Sequence, residues 1–362
     1  MKLGIVGLPN SGKSTLFNAI MQTGAQAANY PFSTVNPNVG RVPVPDERLE
    51  GLAEMYKPKV VTPTAIEMVD IAGLVRGASR GEGLGNQFLG HIREVDALVH
   101  VVRLFEDENV PHVYDGIDPL RDIETIDLEL IFADLEMIER RAIRVEKVAR
   151  TDKAFQREAD VLAKIKAALE DGQPVRTLSW SDPEDEKLAH SFSLITAKPV
   201  LYAANISEEM LEGGDEKLAA LEAFAKNEGF ALFISCAKLE AEIALLGTEE
   251  KEEFLTDMGL QHNGLDRLIT AGYKLLGLIS FLTAGPKEVR AWTVRQNSKA
   301  PQAAGKIHSD LERGFIRAEV VAYDDLMAAG SYTAAKEQGT VRIEGKEYIV
   351  QDGDVILVRF NV

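Results

Sequence analysis

The sequence predicts an α/β domain that is interrupted by a helical insertion and followed by a small, strand-rich domain. Three observations predict it. Residues 1–125 and 198–278 alternate short apolar runs with helix-like stretches, the grammar of a mostly parallel sheet covered by helices. Between them, over residues 126–197, apolar side chains recur at spacings of three and four, a helical seam of coiled-coil type that folds back as an antiparallel unit. From residue 279 the chain turns to short β-rich segments, a separate mixed-sheet domain.

In chain order, Lys2–Val6 reads as a short buried strand and Ser14–Met21 as the opening of a helix. The stretch between them, Gly7-Leu8-Pro9-Asn10-Ser11-Gly12-Lys13-Ser14, fits G-x-x-x-x-G-K-[ST], a phosphate-binding loop. A strand, a glycine loop and a helix start place N–H groups of Asn10, Ser11, Gly12, Lys13, Ser14 and Thr15 around one point, at the positive end of the helix dipole. Lys13 reaches β- and γ-phosphates in such a loop, and the Ser14 hydroxyl ligates Mg²⁺. The expected ligand is therefore a nucleoside triphosphate.

Ala65–Asp70 and Ala97–Val102 read as further buried strands. Asp70-Ile71-Ala72-Gly73 closes the first of them as the metal-side D-x-x-G: Asp70 holds the ion through water and the Gly73 N–H senses the γ-phosphate. In Asn29-Tyr30-Pro31-Phe32-Ser33-Thr34, Thr34 either completes the metal shell or simply precedes a strand. The glycine-rich run from Leu74 to Gly85 suits a switch segment. Leu74 stands where Ras-like enzymes carry a water-orienting glutamine, so either another group positions the water or turnover is slow.

Within the insertion, Ile131, Leu135, Ile138, Ala142, Val145 and Ala149 form the first seam, and Phe155, Ala159, Leu162, Ile165 and Leu169 the second, with Asp182–Ile195 as a returning helix. Arg140, Arg141, Arg144, Lys147, Arg150, Lys153, Arg157, Lys164 and Lys166 lie along it, interleaved with Glu136, Glu139, Glu146, Glu158 and Asp160. They form either a salt-bridged solvent face or a contact for RNA, which the family resemblance given below would make ribosomal RNA. The α/β pattern resumes with strands at Pro199–Ala204 and Ala231–Ser235 and helices at Lys217–Asn227 and Leu265–Leu278. Val289–Arg295, Phe315–Val321, Tyr348–Val350 and Val355–Phe360 read as the strands of the last domain, with one helix at Tyr323–Ala329. Trp292 serves there as core or as a stacking platform.

The base-reading loop departs from the N-K-x-D of GTPases. It runs Asn205-Ile206-Ser207-Glu208. The carboxylate is one methylene longer, and Ile206 replaces the lysine that covers the base. A site that does not pair both guanine donors loses most of its selectivity for guanine. Ser235, Cys236, Ala237 and Lys238 fit the loop that closes over the base.

Composition narrows the remaining classes. The chain of 362 residues carries a formal net charge of −17 and one cysteine, Cys236. Internal disulfides and zinc clusters are excluded, general nucleic-acid binding is disfavoured, and a reduced, cytoplasmic setting fits. No charged-then-apolar leader and no apolar run of ~20 residues is seen, so neither secretion nor membrane spanning is expected.

Taken together, the phosphate loop, Asn-Tyr-Pro-Phe-x-Thr, D-x-A-G followed by leucine, and N-x-x-E resemble the YchF branch of the Obg-like ATPases, a family of P-loop translation factors. The resemblance covers essentially the whole chain. The C-terminal stretch resembles the family's TGS domain, a β-grasp module, through Phe281–Gly285, Arg290–Thr293, Ala300-Pro301 and Ile307–Asp310. It implies a cytoplasmic, Mg²⁺-dependent ATPase that prefers ATP to GTP and associates with ribosomes in translation or stress responses. It further implies K⁺ near the phosphates at Asn10, where loop shaping is the alternative, and a water-orienting histidine at His112, where a surface-loop histidine is the alternative. The competing functions are a GTPase of ribosome assembly, a small-molecule kinase and a binding module in which hydrolysis hardly matters.

Overall fold

The computed structural model describes residues 1–26, 38–71, 73, 84–149, 152, 155–257 and 263–361. The chain divides into two compact units, one of residues 1–41 and 67–265 and the other of residues 42–66 and 266–362. Its elements begin with β1 (Lys2–Val6), α1 (Lys13–Gln26), β2 (Val39–Pro43), α2 (Glu47–Tyr56), β3 (Val60–Thr62), β4 (Ala65–Asp70), α3 (Leu84–Glu94) and β5 (Ala97–Arg103). Helices α4 (Pro119–Ala149), α5 (Gln156–Glu170) and α6 (Pro183–Ser191) follow. Then come β6 (Val200–Asn205), α7 (Glu216–Glu228), β7 (Ala231–Ser235), α8 (Ala237–Ile243), α9 (Thr248–Asp257) and α10 (Gly264–Leu275). The last elements are β8 (Leu278–Ala284), β9 (Glu288–Arg295), α11 (Ala300–Ile307), α12 (Ser309–Arg313), β10 (Phe315–Ala322), α13 (Tyr323–Ala329), α14 (Tyr332–Glu337), β11 (Arg342–Glu344) and β12 (Asp354–Phe360).

In the first unit the strand order is β2-β4-β1-β5-β6-β7. Strands β4, β1, β5, β6 and β7 run parallel. Every residue of β5 and β6 is buried, as central strands covered on both faces require. The register aligns Ile5 with Asp70, Val6 with His100, and Arg103 with Asn205, which in turn faces Ser235. The carboxyl ends of all these strands therefore line one edge of the sheet, with the phosphate loop leaving β1 there. In open parallel sheets that edge is where ligands bind.

Helix α4 begins seven residues before the expected start of the insertion at 126 and spans 31 residues. Ile123, Ile126, Leu130 and Ala133 lie in the core of the α/β sheet. Farther along, Ile131, Ile138 and Val145 build a second core with Val161, Leu162, Ile165 and Leu169 of α5 and Ala189 of α6. One helix thus belongs to two cores. Asp134, fully buried in α4, accepts from the Ile195 and Thr196 N–H groups and the Thr196 hydroxyl.

The second unit holds a sheet of order β11-β10-β12-β8-β9-β3. Residues 42–66 fold here, whereas the sequence pattern assigns them to the first domain. The physical reason is non-local: β3 pairs in parallel with β9, and Leu49 and Leu52 of α2 are buried with Leu282, Val289 and Val321. Helix α10 also stops earlier than expected, because Gly277 adopts φ +63° and β8 starts at Leu278. Tyr348–Val350 is not a strand; Ile349 makes one isolated bridge to Lys299, and the short strand is β11 instead. Three helices beyond the expected one, α11, α12 and α14, complete the described part of this unit.

Candidate functional site: the phosphate loop and its neighbours

At the sheet edge the structure brings Lys13, Ser14, Asp70 and Gly73 together. The Ser14 hydroxyl donates to Asp70 Oδ2 at 2.9 Å. Asp70 Oδ1 is buried with no hydrogen-bond partner among the described residues. A hydroxyl and a carboxylate oxygen side by side, one lone pair set unsatisfied, form the donor set that a hard divalent cation takes, so these residues fit Mg²⁺. The Lys13 ammonium, 6% exposed as a residue, donates to the Leu8 carbonyl at 2.7 Å. Burial pushes its pKa down to about 8, with Asp70 opposing the shift. A Cβ at Gly73 would stand 3.1 Å from Lys13 Nζ and 3.2 Å from the Pro9 backbone, so Gly73 lies directly against the phosphate loop. Thr34 and Leu74 lie outside the described residues.

The loop is held from behind and from both sides. Gly12 adopts φ +94°, and a Cβ there would fall 2.1 Å from Asn205 Nδ2. The Asn205 amide donates to the Ser11 carbonyl at 2.9 Å and accepts from the Ala237 N–H at 2.9 Å. Asn205 is thus a buried clasp between the phosphate loop and the start of α8. Its side chain is spent on protein rather than left free for a base. Ser11 is 2% exposed, and its hydroxyl has no partner among the described residues. Ser14 and Thr15 open α1 with exposed side chains. Asn10 adopts φ +62°. Its Nδ2 donates to the Pro111 carbonyl at 2.9 Å, and its own carbonyl accepts from Arg103 Nη1 at 3.3 Å.

The base end is built differently. Ile206, which replaces the base-covering lysine, is 2% exposed and belongs to the hydrophobic core. Its backbone N–H donates to the Ser235 carbonyl at 3.0 Å. Residue 206 follows the last residue of a wholly buried strand and continues into the same core. Glu208 is exposed and lies 3.6 Å from Lys238 Nζ. Cys236 is buried in the same core and precedes α8, whose first residue, Ala237, is also buried.

His112 is not a surface histidine. Its side chain is 7% exposed, Nδ1 accepts from the Tyr114 N–H at 3.0 Å, and Nε2 lies 2.9 Å from Asp122 Oδ2. Both ring nitrogens are therefore engaged. Asp122 sits in the first turn of α4 and also receives Arg121 at 3.1 Å.

Most basic groups of the helical arm are paired within the chain. Arg140 meets Glu136, Arg141 meets Glu158, Arg157 meets Asp182 and Asp185, and Lys166 meets Glu139 and Glu170. Lys164 donates to the Ser179 carbonyl and stands 4.4 Å from the Trp180 ring centre. Arg144 and Lys147 are exposed; Arg150 and Lys153 lie outside the described residues. In the second unit, Trp292 stacks on Phe281, donates to the Thr283 hydroxyl, and is covered by Arg290 at 4.0 Å.

The site thus contains two residues that motif spacing missed, Arg103 and Asp122. Arg103 carried one signal, a lone guanidinium closing a strand that is apolar but for His100. Asp122 carried none, since an acidic residue in a first helical turn is common.

Comparison with known proteins decides the family. A family model described as a 50S ribosome-binding GTPase matches residues 2–133, and the C-terminal model of YchF-type GTPases, described as a protein of unknown function, matches residues 278–361. The ribosome-binding ATPase YchF of Bacillus subtilis (strain 168) is 56% identical, over 99% of each chain. The chain belongs to the YchF family of Obg-like ATPases. The Haemophilus influenzae ribosome-binding ATPase YchF is 52% identical over 100% of this chain and 99% of that one. Obg-like ATPase 1 of Oryza sativa subsp. japonica is 46% identical over 100% of this chain and 92% of its own length. The solved structure of the Schizosaccharomyces pombe YchF GTPase superposes with a TM-score of 0.90 at 38% identity, covering 99% of this chain and 97% of that one. Among the described residues, no helix is long and apolar enough to cross a membrane.

Proposed function

We propose that this chain binds ATP in preference to GTP, hydrolyses it slowly, and acts as a nucleotide-gated switch on the ribosome in translation or stress responses. The observation that carries the nucleotide reading is the convergence of Lys13, the Ser14–Asp70 pair and Gly73 at the carboxyl edge of the sheet. Lys13 holds its ammonium over the loop for β- and γ-phosphates, and Ser14 and Asp70 hold the metal, with Thr34 as a further ligand. Mg²⁺, when bound, neutralises phosphate charge. The N–H groups of Asn10 to Thr15 cradle the phosphates, and the Gly73 N–H registers the third phosphate. Asn205, Ile206 and Ser235 to Ala237 shape the base pocket. Cys236 acts as a small core residue.

ATP preference is supported by Glu208, whose carboxylate faces Lys238 rather than standing free for guanine, and by the names of the relatives. The ribosome enters through those names too, with Arg144 and Lys147 as the exposed cations of the arm available to RNA. Residues 279–362 serve in this scheme as the TGS-like β-grasp module, and the helical insertion of 126–197, with its paired helices α4 and α5, as the antiparallel coiled coil. A cytoplasmic location follows from a ribosomal partner.

Calorimetric titration with ATP and with GTP, Mg²⁺ present, tests the reading. Tighter ATP binding is expected; tighter GTP binding would place a GTPase of ribosome assembly first. Stimulation of hydrolysis by K⁺ over Na⁺ tests Asn10 as a cation ligand. His112→Ala tests the water-orienting histidine: that role needs His112 released from Asp122, and hydrolysis at the wild-type rate removes it.

A further inference from the structure

The segment between β5 and α4 ties the phosphate loop to the first turn of that helix. At one end, Asn10 is gripped twice, by Arg103 on its carbonyl and by Pro111 on its amide, in a left-handed conformation rare outside glycine. At the other end, the residue next to Pro111 is pinned to α4 through the 2.9 Å bond of His112 to Asp122. Arg121 reinforces the grip, donating to the Asp115 and Gly116 carbonyls and lying 4.9 Å from the Tyr114 ring centre. Asp122 is 3% exposed, so its bond to His112 is shielded from solvent competition.

We propose that Asp122 is a positioning residue of the nucleotide site: through His112 and Pro111 it sets the conformation of Asn10 in the phosphate loop. The chain of contacts is continuous. Asp122 holds the imidazole, the imidazole fixes the backbone at 111–112, and the Pro111 carbonyl orients the Asn10 amide. Because α4 continues into the core of the helical arm, a displacement of that helix reaches the phosphates by this route. The residues involved touch no phosphate except at Asn10, so Asp122 acts only through its neighbours. This inference rests on the proposal that ATP occupies the phosphate loop.

A double-mutant cycle tests it, with ATP affinity of the full chain read by calorimetry in Mg²⁺. Asp122→Ala is expected to weaken ATP binding by about threefold to tenfold, in the lower part of the range for coupled neighbours. Asn10→Ala should then cost less in the Asp122→Ala background than alone, whereas a merely structural effect of Asp122 would add independently. Asp122→Asn keeps an acceptor for His112 and should restore most of the affinity. If Asp122→Ala fails to fold, as judged by its thermal transition, His112→Phe removes the same bond from the other side and must show the same non-additivity with Asn10→Ala. Wild-type binding with strictly additive variants overturns the inference alone. Absence of ATP binding by the wild type overturns the reading beneath it.

Discussion

The phosphate end and the base end of the site are made by opposite means. Around the phosphate loop Lys13 is committed to Leu8, Asn205 to two backbones, Ser14 to Asp70 and Asn10 to Pro111, the first two of them buried. At the base end Glu208 and Lys238 form a charged pair that is exposed on both sides. Buried, fully paired groups fix a geometry in advance, whereas exposed ion pairs contribute little and rearrange freely. The difference teaches that this site is rigid where any nucleoside triphosphate is the same and soft where the bases differ. Variants at the two ends should therefore differ sharply in size of effect.

The largest effect is expected at Gly12. Gly12→Ala sets a methyl 2.1 Å from Asn205 Nδ2, at φ +94°. Either the loop or the Asn205 clasp must move, and ATP affinity should fall by about 100-fold, equivalent to about 3 kcal/mol of strain. Calorimetry on the folded variant checks this; near-native affinity would show that the clasp yields easily and that the phosphate end is less rigid than its contacts imply. Asn205→Ala comes next. It strands the Ala237 N–H and the Ser11 carbonyl without their partner, at a cost of about 2–4 kcal/mol in urea unfolding without nucleotide.

That clasp also marks how far the sequence could be read. The phosphate loop and D-x-x-G were legible because those motifs encode backbone geometry: a strand, a glycine turn, a helix start. Buried strands were legible from their apolar runs, Ala97–Arg103 above all. What stayed hidden was set by partners far along the chain. Asn205 meets Ser11 from 194 positions away. Leu49 and Leu52 look like any helix face until β8 and β9 arrive to bury them, so residues 42–66 could not be assigned to the second unit. The burial of Ile206 was hidden too, because the departure from N-K-x-D says what the residue no longer does, not where its side chain turns. The pairing of His112 with Asp122 depends on where α4 starts, and helix starts are the least legible feature of a long seam.

A third prediction probes the rigidity behind the loop. His100, on β5 beside Tyr202, is wholly buried, and burial with the nearby Arg176 and Lys13 charges pushes its pKa down to about 3. The unfolded chain binds a proton near pH 6.5 that the folded chain refuses until about pH 3, so stability falls as pH drops through that window. Between pH 6.5 and pH 5 this one group should remove about 1.6 kcal/mol. Urea unfolding of His100→Gln against wild type across that interval checks it: the variant's profile should be flatter by that amount. Equal slopes would mean that the imidazole is protonated, or solvated, in the fold.

The smallest effect is expected at Glu208, and it bears most directly on base choice. An exposed pair with Lys238 is worth less than ~1 kcal/mol. If the carboxylate is held by Lys238 and not by the base, Glu208→Gln should change ATP affinity by no more than about fivefold, and that change should shrink as salt is raised. The same variant titrated with GTP separates the two roles of the side chain. A carboxylate that pairs with guanine N1–H and N2 accepts two hydrogen bonds, and its loss would cost GTP well over tenfold while leaving ATP unmoved. Small, salt-sensitive changes for both nucleotides would place base choice in the backbone of the 205–208 and 235–237 loops. A large loss confined to GTP would mean that Glu208 leaves Lys238 for guanine, and the softness of this end would then be a means of selection.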